Sequence, residues 1–326
     1  MRRNAIMHLH RAMLACVLLA TGLVAGAQTY PAKPIRLIVG FAAGGPTDIV
    51  GRTVGQNLQQ GIGQPVVVEN RPGAARNIAA DQVAKATADG YTLLMGSISL
   101  ANNATLYSKL PYNLLRDLAA VVRVTNSPFL LCVHPSVPVK NVRELVSFAK
   151  ARPGQLQYGT AGNGSGAHLF TELFANMAGI KMQSIPYKGA APAIGDLVAG
   201  QVAFVFDNVI AMVPLNKAGK IRCLAVSTLA RSPIAPEIPT MDEAAVKGYE
   251  ADAWFGIFAP SRTPATAIER VNAEVNRALA DPAVRERFET LGCAPAGGTA
   301  AAFAAYVRDE VDRWGKVIRS AGVRLE

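Results

Sequence analysis

The chain has 326 residues, of which 50% are hydrophobic and 6% aromatic, and its formal net charge is +10. That length is sufficient for two globular domains. The lysines and arginines are dispersed and no basic stretch is interleaved with aromatic residues, so the composition argues against nucleic-acid binding, whereas a basic exported protein would favour small anionic ligands.

The N-terminal segment has the pattern of a secretory signal peptide. A positively charged start precedes an apolar run at 12–20, and Ala25-Gly26-Ala27 is a typical cleavage site. We predict that residues 1–27 are removed on export. The apolar run is too short to span a membrane, and no later stretch approaches the ~20 apolar residues that a spanning helix needs.

Three cysteines remain after the predicted cleavage, namely Cys132, Cys223 and Cys293. Cys132 and Cys223 lie in strand-like apolar runs and the number is odd, so we expect buried structural thiols rather than a complete disulfide set. No C-x-x-C or H-E-x-x-H motif occurs, and therefore we predict no metal site and no cofactor.

The first part of the chain alternates strand and helix signals. Ile35–Phe41 is almost continuously apolar, as expected for a strand that is buried on both faces. A helix capped by Thr47 and ended by Gly61 is predicted next. Strand 66–68, a helix near 77–86 and strand 92–95 follow. This βαβαβ order predicts a parallel sheet with right-handed crossovers.

A second α/β series begins at residue 129. Its predicted strands are 129–133, 156–159, 181–185, 202–206 and 222–227. Its predicted helices are 141–151, 166–178, 190–199 and 209–218.

A proline-rich loop at 233–239 ends this series, and Trp254–Ala259 is predicted to be another strand. The tail is predicted to be helical over Ala265–Ala280, over Pro282–Leu291 and in a last amphipathic helix. We expect the chain to return to the first domain after residue 251. The predicted domains are therefore 28–128 plus 252–326 and 129–251, and such a double crossover is typical of hinged binding proteins.

Two glycine-rich loops lie between a predicted strand and a predicted helix, at 40–48 and 159–168. Such a loop can direct backbone N–H groups at a small anion, because the first N–H groups of a helix lack internal partners and carry the positive end of the helix dipole. The pair predicts a binding cleft between the domains. A dinucleotide site is disfavoured, because the acidic residue expected ~20 positions on is not clearly present.

The residues around Ser165 favour a binding protein over an enzyme. Gly162-Asn163-Gly164-Ser165-Gly166 lacks the glycine two places before the serine that a nucleophile elbow needs, and no orienting acid is evident near His168. A secreted serine hydrolase is thus the disfavoured alternative, and we predict no enzymatic activity. His168 is predicted to brace its loop in preference to contacting a ligand. Ser97 is equally compatible with lining the cleft and with a plain turn.

The chain resembles the Bug family, also called TctC-like proteins, which are periplasmic solute receptors of tripartite tricarboxylate transporters. The resemblance covers essentially the whole chain after the signal peptide and depends on several motifs that occur in order. These motifs are residues 30–36, Gly44-Gly45-Pro46-Thr47-Asp48, residues 65–74, Asp89-Gly90-Tyr91-Thr92, Gly162-Asn163-Gly164-Ser165, Pro186-Tyr187-Lys188-Gly189, Phe206-Asp207-Asn208, Gly248-Tyr249-Glu250 and Trp254-Phe255-Gly256.

The resemblance implies a two-domain periplasmic binding protein of the Venus-flytrap, type II-like α/β class, with a mostly parallel sheet flanked by helices in each domain. It implies a monomeric periplasmic receptor that closes around a small organic acid and delivers it to integral membrane transporter subunits. A receptor that docks on a membrane sensor kinase shares the binding step and is the alternative.

Ligand-binding residues also follow from the resemblance. The first loop would contribute Phe41, Gly44, Gly45 and Thr47. The second loop would contribute Thr160, Ala161, Gly162, Asn163, Gly164 and Ser165. Asp207 and Asn208, at the end of a strand, would face the cleft and select the distal group of the ligand. Together with Ser97 and His168 these residues are the candidate site.

The sequence departs from the family pattern at a few positions. The family usually has further glycine after Pro72-Gly73, where this chain has Ala75-Arg76. Arg76 is expected to be an exposed surface arginine, in preference to pairing with a second ligand carboxylate.

Overall fold

The computed structural model describes residues 30–320, so the predicted signal peptide lies outside the described residues. Within that range, no helix combines the length and the apolar character that crossing a membrane requires. The eleven strands belong to two sheets. The candidate site lies between these two sheets.

Six strands form the first sheet, in the order β11-β4-β10-β3-β1-β2. Strand β1 (Ile35–Val39) is parallel to β2 (Val66–Asn70) and to β3 (Thr92–Ser97), which confirms the predicted parallel βαβαβ unit. The remaining strands pair in antiparallel fashion and are β4 (Leu118–Ser127), β10 (Ala253–Pro260) and β11 (Ala294–Pro295).

Seven helices accompany the first sheet, and with it they are called the first lobe below. They are α1 (Pro46–Ile62), α2 (Asn77–Ala84), α3 (Ile98–Leu106), α4 (Leu114–Asp117), α10 (Ala265–Ala280), α11 (Pro282–Thr290) and α12 (Ala300–Ser320).

The predicted ends of α1 were wrong. The cap residue is Gly45, because Pro46 occupies the first helical position, where its missing N–H is not needed. Thr47 therefore lies inside the first turn and does not cap the helix. The helix ends at Ile62, and Gly63 takes the left-handed conformation with φ 74° that commonly stops a helix.

Five strands form the second sheet, in the order β7-β6-β8-β5-β9. Strand β6 (Gln157–Thr160) is parallel to β7 (Gln183–Pro186) and β8 (Phe204–Asn208). Strand β5 (Phe129–Val133) is antiparallel to β8 and to β9 (Arg222–Val226). With its helices this sheet is the second lobe. The helices are α5 (Val142–Lys150), α6 (Gly166–Ala178), α7 (Ala190–Val198), α8 (Val209–Lys217) and α9 (Met241–Ala244).

The chain passes between the sheets twice, at Pro128 and between β9 and β10. The strand that enters each sheet after a crossing, β5 or β10, is inserted in antiparallel fashion inside that sheet. Ser227 binds both polar backbone groups of Phe129, its N–H donating to the carbonyl at 2.9 Å and its hydroxyl accepting from the N–H at 2.9 Å. The two crossings are thereby held together. The predicted domain boundaries fall at these crossings, but folding or motion of each segment as a unit stays a prediction.

Helix α3 and strand β4 were not foreseen from the sequence. Helix α3 is buried on most of its circumference and places Asn102 and Asn103 in the interior, so its polar residues do not mark a solvent-facing side. A helix without a polar face lacks the periodicity by which sequence analysis recognises one.

Cys132 and Cys223 form a disulfide, and the expectation of two free buried thiols was wrong. The two residues are directly opposite each other on the antiparallel strands β5 and β9, although 91 positions separate them in the sequence. Pairing between distant strands is set by topology and was not visible in the local apolar pattern. Cys293 keeps a buried free thiol, 3.0 Å from the hydroxyl of Ser127.

We predict that the Cys132→Ala/Cys223→Ala variant loses about 2–5 kcal/mol of unfolding free energy, because the disulfide restricts a long loop in the unfolded chain. Urea unfolding without reductant measures the difference. Reductant should destabilise the wild type and Cys293→Ala, which keeps the disulfide, but not the double variant. A wild-type protein whose unfolding is insensitive to reductant would contradict the assignment.

Candidate functional site

A small cavity lies between the two lobes. Small-molecule sites occur preferentially at such interfaces between domains. Both lobes contribute to its wall, the first through the segments after β1 and β3 and the second through those after β6 and β8. The lining residues are Phe41, Gly45, Pro46, Thr47, Ser97, Ile98, Ser99, Phe129, Ala161, Ser165, Gly166, Ala167, Ala190, Asp207, Asn208, Ala253 and Phe255.

Five helices begin at this cavity. Their first residues or caps on the wall are Pro46 of α1, Ile98 of α3, Gly166 of α6, Ala190 of α7 and the cap Asn208 of α8. The first N–H groups of each helix have no partner inside the helix, and the positive ends of the dipoles converge. No lysine or arginine between residues 30 and 320 lines the wall. An arrangement of this kind can stabilise an anion by backbone donors.

Much of the remaining wall is apolar. The aromatic rings of Phe41, Phe129 and Phe255 and the side chain of Ile98 line it, together with several alanines. Such surfaces release free energy when apolar atoms of a ligand leave water for them. The cavity therefore suits a ligand that combines an anionic group with an apolar segment.

Asp48 organises the first loop from outside the cavity wall. Its Oδ2 accepts from the backbone N–H of Gly44 at 2.9 Å and from Nε of Arg52 at 3.0 Å, and its Oδ1 accepts from Nδ2 of Asn70 at 2.9 Å. Burial by itself would raise the pKa of Asp48, but these hydrogen bonds hold it below the ordinary value. Gly44, with φ 81°, supplies the left-handed backbone that the turn needs.

Ser165 and His168 brace the second loop. The Ser165 hydroxyl caps α6 by accepting from the N–H of His168 at 3.1 Å, and Nδ1 of His168 accepts from the N–H of Gly164 at 3.2 Å. Burial and the charge of Arg76 lower the pKa of His168 to about 4, so the ring is neutral at pH 7. These contacts agree with the loop-bracing role expected for His168.

Asp207 and Asn208 place polar atoms without partners beside the cavity. Asp207 Oδ1 accepts from the N–H of Asn208 at 2.7 Å, whereas Asp207 Oδ2 and Asn208 Nδ2 have no hydrogen-bond partner among the described residues. Burial raises the pKa of Asp207 to about 7. Buried polar groups are usually hydrogen-bonded, so this pair can take a hydrogen-bonding group from a ligand.

Eight of the candidate site residues lie on the wall of the cavity. They are Phe41, Gly45, Thr47, Ser97, Ala161, Ser165, Asp207 and Asn208. The other six belong to the same two loops or to the start of α6 but do not line the wall. They are Gly44, Thr160, Gly162, Asn163, Gly164 and His168. A direct ligand contact by any of the fourteen stays a prediction.

Sequence reasoning missed several wall residues. Ala190 and Gly166 begin helices that the sequence predicted, so the signal that helix starts bind anions could have identified them. Phe129, Ala253 and Phe255 lie where the chain enters each sheet, and only the packing of the crossings brings them to the cavity.

Arg76 is not an exposed surface arginine, and that expectation was wrong. It is 6% exposed, and its guanidinium donates to the carbonyl oxygens of Ala161 and Asn163 in the second loop. It does not line the cavity. A side chain of the first lobe therefore binds backbone of the second.

The fold and the cavity define a class of protein. Two α/β lobes joined by a double crossover, with converging helix starts between them, are the architecture of a periplasmic binding protein. The sequence also matches the family model described as "Tripartite tricarboxylate transporter family receptor" over residues 50–323. The chain belongs to this family, TctC, whose members are solute-binding receptors and not enzymes.

Solved structures agree. The chain is 39% identical to R. palustris Rpa4515 with adipate, covering 90% of this chain and 98% of that one, with a TM-score of 0.88. It is 33% identical to the periplasmic binding protein BugD, covering 91% and 100%, with a TM-score of 0.88. It is 32% identical to MatC from Rhodopseudomonas palustris with bound malate, covering 89% and 100%, with a TM-score of 0.86.

We predict that Asp207→Asn changes how stability depends on pH. The pKa of Asp207 is raised in the folded protein, so its proton is held there and lost on unfolding between about pH 4 and 7. Wild-type stability should therefore fall relative to the variant by roughly 1–3 kcal/mol from pH 5 to pH 8. The opposing contribution of His168 is common to both proteins and cancels in the difference.

Chemical unfolding of the ligand-free proteins at the two pH values measures this effect. Asp252→Asn is the matched control, because burial also raises the pKa of Asp252 to about 7 and Asp252 does not line the cavity. It should change the pH dependence of stability in the same direction without affecting ligand binding. Parallel pH profiles for the wild type and Asp207→Asn would refute the prediction.

Proposed function

We propose that this protein is a periplasmic receptor that captures a small carboxylate in the cavity between its lobes and delivers it to a tripartite tricarboxylate-type membrane transporter. The observation that carries the proposal is the convergence of five helix starts on a cavity wall that holds no lysine or arginine among the described residues. Backbone N–H groups at helix starts bind carboxylates without a cationic side chain.

The ligand carboxylate would lie among the starts of α1, α3 and α6. The hydroxyl of Ser97, which makes no cap hydrogen bond to α3, is one further donor there. Closure of the lobes removes water from this region and strengthens each hydrogen bond, because the local dielectric falls. The glycine-rich loops would then hold the ligand mainly through their backbone.

The other end of the ligand would meet Asp207 and Asn208. These two residues offer a carboxyl oxygen and an amide donor that lack partners among residues 30–320. A hydroxyl or an amide can satisfy both, and a second carboxylate can do so where Asp207 holds its proton and donates it. Adipate in Rpa4515 and malate in MatC each carry two carboxyl groups. The aromatic wall favours a ligand with an apolar segment between its polar ends, as in adipate, over a short hydroxylated diacid.

We predict that refolded, ligand-free protein shows saturable thermal stabilisation by adipate and less by malate, because a ligand that binds only the folded state raises its stability. Calorimetry with adipate, its monoamide and malate gives the affinities. Recovery of unchanged adipate monoamide, whose amide bond a hydrolase could cleave, distinguishes a receptor from a hydrolase. Absence of stabilisation by every small carboxylate in the panel would overturn the proposal.

Ser165→Asp tests the position of the ligand carboxylate. Aspartate caps helices as well as serine does, so α6 should remain stable. The added negative charge on the wall should weaken carboxylate binding at least about 100-fold, since like charges repel strongly in a cavity of low dielectric. Calorimetry of the variant measures the loss. Unchanged affinity would place the ligand elsewhere.

Thr299→Asp is the matched control. Thr299 Oγ1 accepts from the N–H of Ala302 at the start of α12, and it does not line the cavity. The same charge at this helix start should leave affinity unchanged.

Delivery is tested separately by deleting the gene in its host. Loss of carboxylate uptake supports transport, whereas retained uptake with a lost transcriptional response favours docking on a sensor kinase.

A further inference from the structure

Arg76 has a backbone conformation that disfavours a side chain. Its φ is 72° and its ψ is −2°, in the left-handed region that glycine adopts readily and other residues rarely do. It ends a 3₁₀ turn over Ala74–Arg76, where Ala74 also has a positive φ of 42°. The position is thus one where a glycine, as the family resemblance leads one to expect, would be unstrained. Contacts of the arginine side chain must therefore offset the cost of this backbone conformation.

That side chain extends from the first lobe to the second loop. Nη1 donates to the carbonyl of Ala161 at 3.1 Å and Nη2 to the carbonyl of Asn163 at 2.5 Å. Asn102 of α3 donates from Nδ2 to the carbonyl of Gly164 at 3.0 Å. Two side chains of the first lobe therefore bind three carbonyl groups of the glycine-rich loop. The orientation of that loop depends on contact with the opposite lobe.

The contacts also reach the cavity itself. Ala161, whose carbonyl accepts from Arg76, lies on the wall, and the guanidinium lies 5.2 Å from the ring centre of Phe41, another wall residue. A guanidinium over an aromatic face is attracted by its quadrupole. Arg76 thus contacts one wall residue of each lobe from outside the cavity, namely Phe41 of the first lobe and Ala161 of the second.

The charge of Arg76 has no acidic partner among the described ion pairs. Burial lowers its pKa to about 10, so it remains charged at pH 7, and its Nε has no hydrogen-bond partner in the part of the chain that the structure describes. A buried cation of this kind is costly unless an anion lies near. A ligand carboxylate in the adjacent cavity would supply that anion.

We propose that Arg76 is a positioning residue that links the two lobes in the arrangement described above and holds the second loop in its ligand-binding orientation without touching the ligand. The inference rests on the proposed function, since the loop that Arg76 holds is the one that would bind the carboxylate. It makes the rate of ligand release depend on this arginine in addition to the backbone donors of the two loops.

The test compares Arg76→Gly, Arg76→Lys and the wild type. Glycine removes the interlobe hydrogen bonds and relieves the backbone, so the variant should fold with unchanged or higher thermal stability without ligand. Adipate should dissociate about 10- to 100-fold faster in stopped-flow measurements, because hydrogen bonds from a charged donor are lost. Lysine keeps the charge but lacks the fork that reaches two carbonyls, so its rate should be intermediate. Arg71→Gln, which removes an exposed arginine from the same segment, is the control and should behave as the wild type.

Hydrogen exchange of ligand-free protein is the second measurement, and it does not depend on the identity of the ligand. Amides of residues 160–165 should exchange faster in Arg76→Gly than in the wild type or in Arg71→Gln. If adipate fails to bind the wild type, the choice of ligand is wrong, but the exchange data still test Arg76. Unchanged exchange in Arg76→Gly would overturn the inference. So would unchanged adipate release, or a loss of binding that only follows a loss of stability.

Discussion

The unsatisfied N–H groups at helix starts are the constraint on which this structure depends. A helix cannot bond its own first N–H groups, so each start needs an external acceptor. In this protein five helices bring their starts to one cavity. The positive ends of five helix dipoles therefore meet at a wall that holds no basic side chain among residues 30–320, and this is the basis for proposing an anionic ligand. The overall basic charge of the chain adds only a diffuse attraction.

The sheet topology is what makes the convergence possible. In each lobe the parallel strands point their carboxyl ends toward the crossings, and each is followed by a helix that begins there. The strand that arrives from the other lobe is inserted in antiparallel fashion, which keeps both crossings close together. Helix starts of the two lobes then face each other across the cavity. The same topology places the two loops on opposite sides of the cavity.

Side chains of the first lobe also orient the backbone of both loops. If the carbonyl groups of the second loop faced the ligand, they would repel a carboxylate. Arg76 and Asn102 bind three of these carbonyl groups from the first lobe. On the other side, Asp48 accepts from the first loop and keeps its turn in place. Each loop is thus oriented by side chains that do not line the cavity. These supporting residues distinguish this chain from a generic pair of glycine-rich loops.

Local patterns in the sequence were sufficient for much of the fold. Apolar runs such as Ile35–Val39 and amphipathic helices such as α10 and α12 were predictable, because burial on two faces or on one face gives each a distinct periodicity. The two loops of the candidate site were predictable for a similar reason, since glycines between a strand and a helix are a local signal. By contrast, α3 has no polar face and gave no such signal.

Only the tertiary structure decided the contacts between residues distant in the chain. The disulfide between Cys132 and Cys223 depends on the register of β5 against β9, and no local pattern reports that register. Phe129 and Phe255 reach the cavity because the two crossings pack together. Its neighbours in the sequence predict that Arg76 is a surface arginine. Its burial depends instead on the second loop, where Ala161 lies 85 positions away. The sequence by itself determined most of the strands and helices and both glycine-rich loops, because those depend on neighbouring residues. The tertiary structure decided which side chains complete the site, because that depends on how the lobes meet.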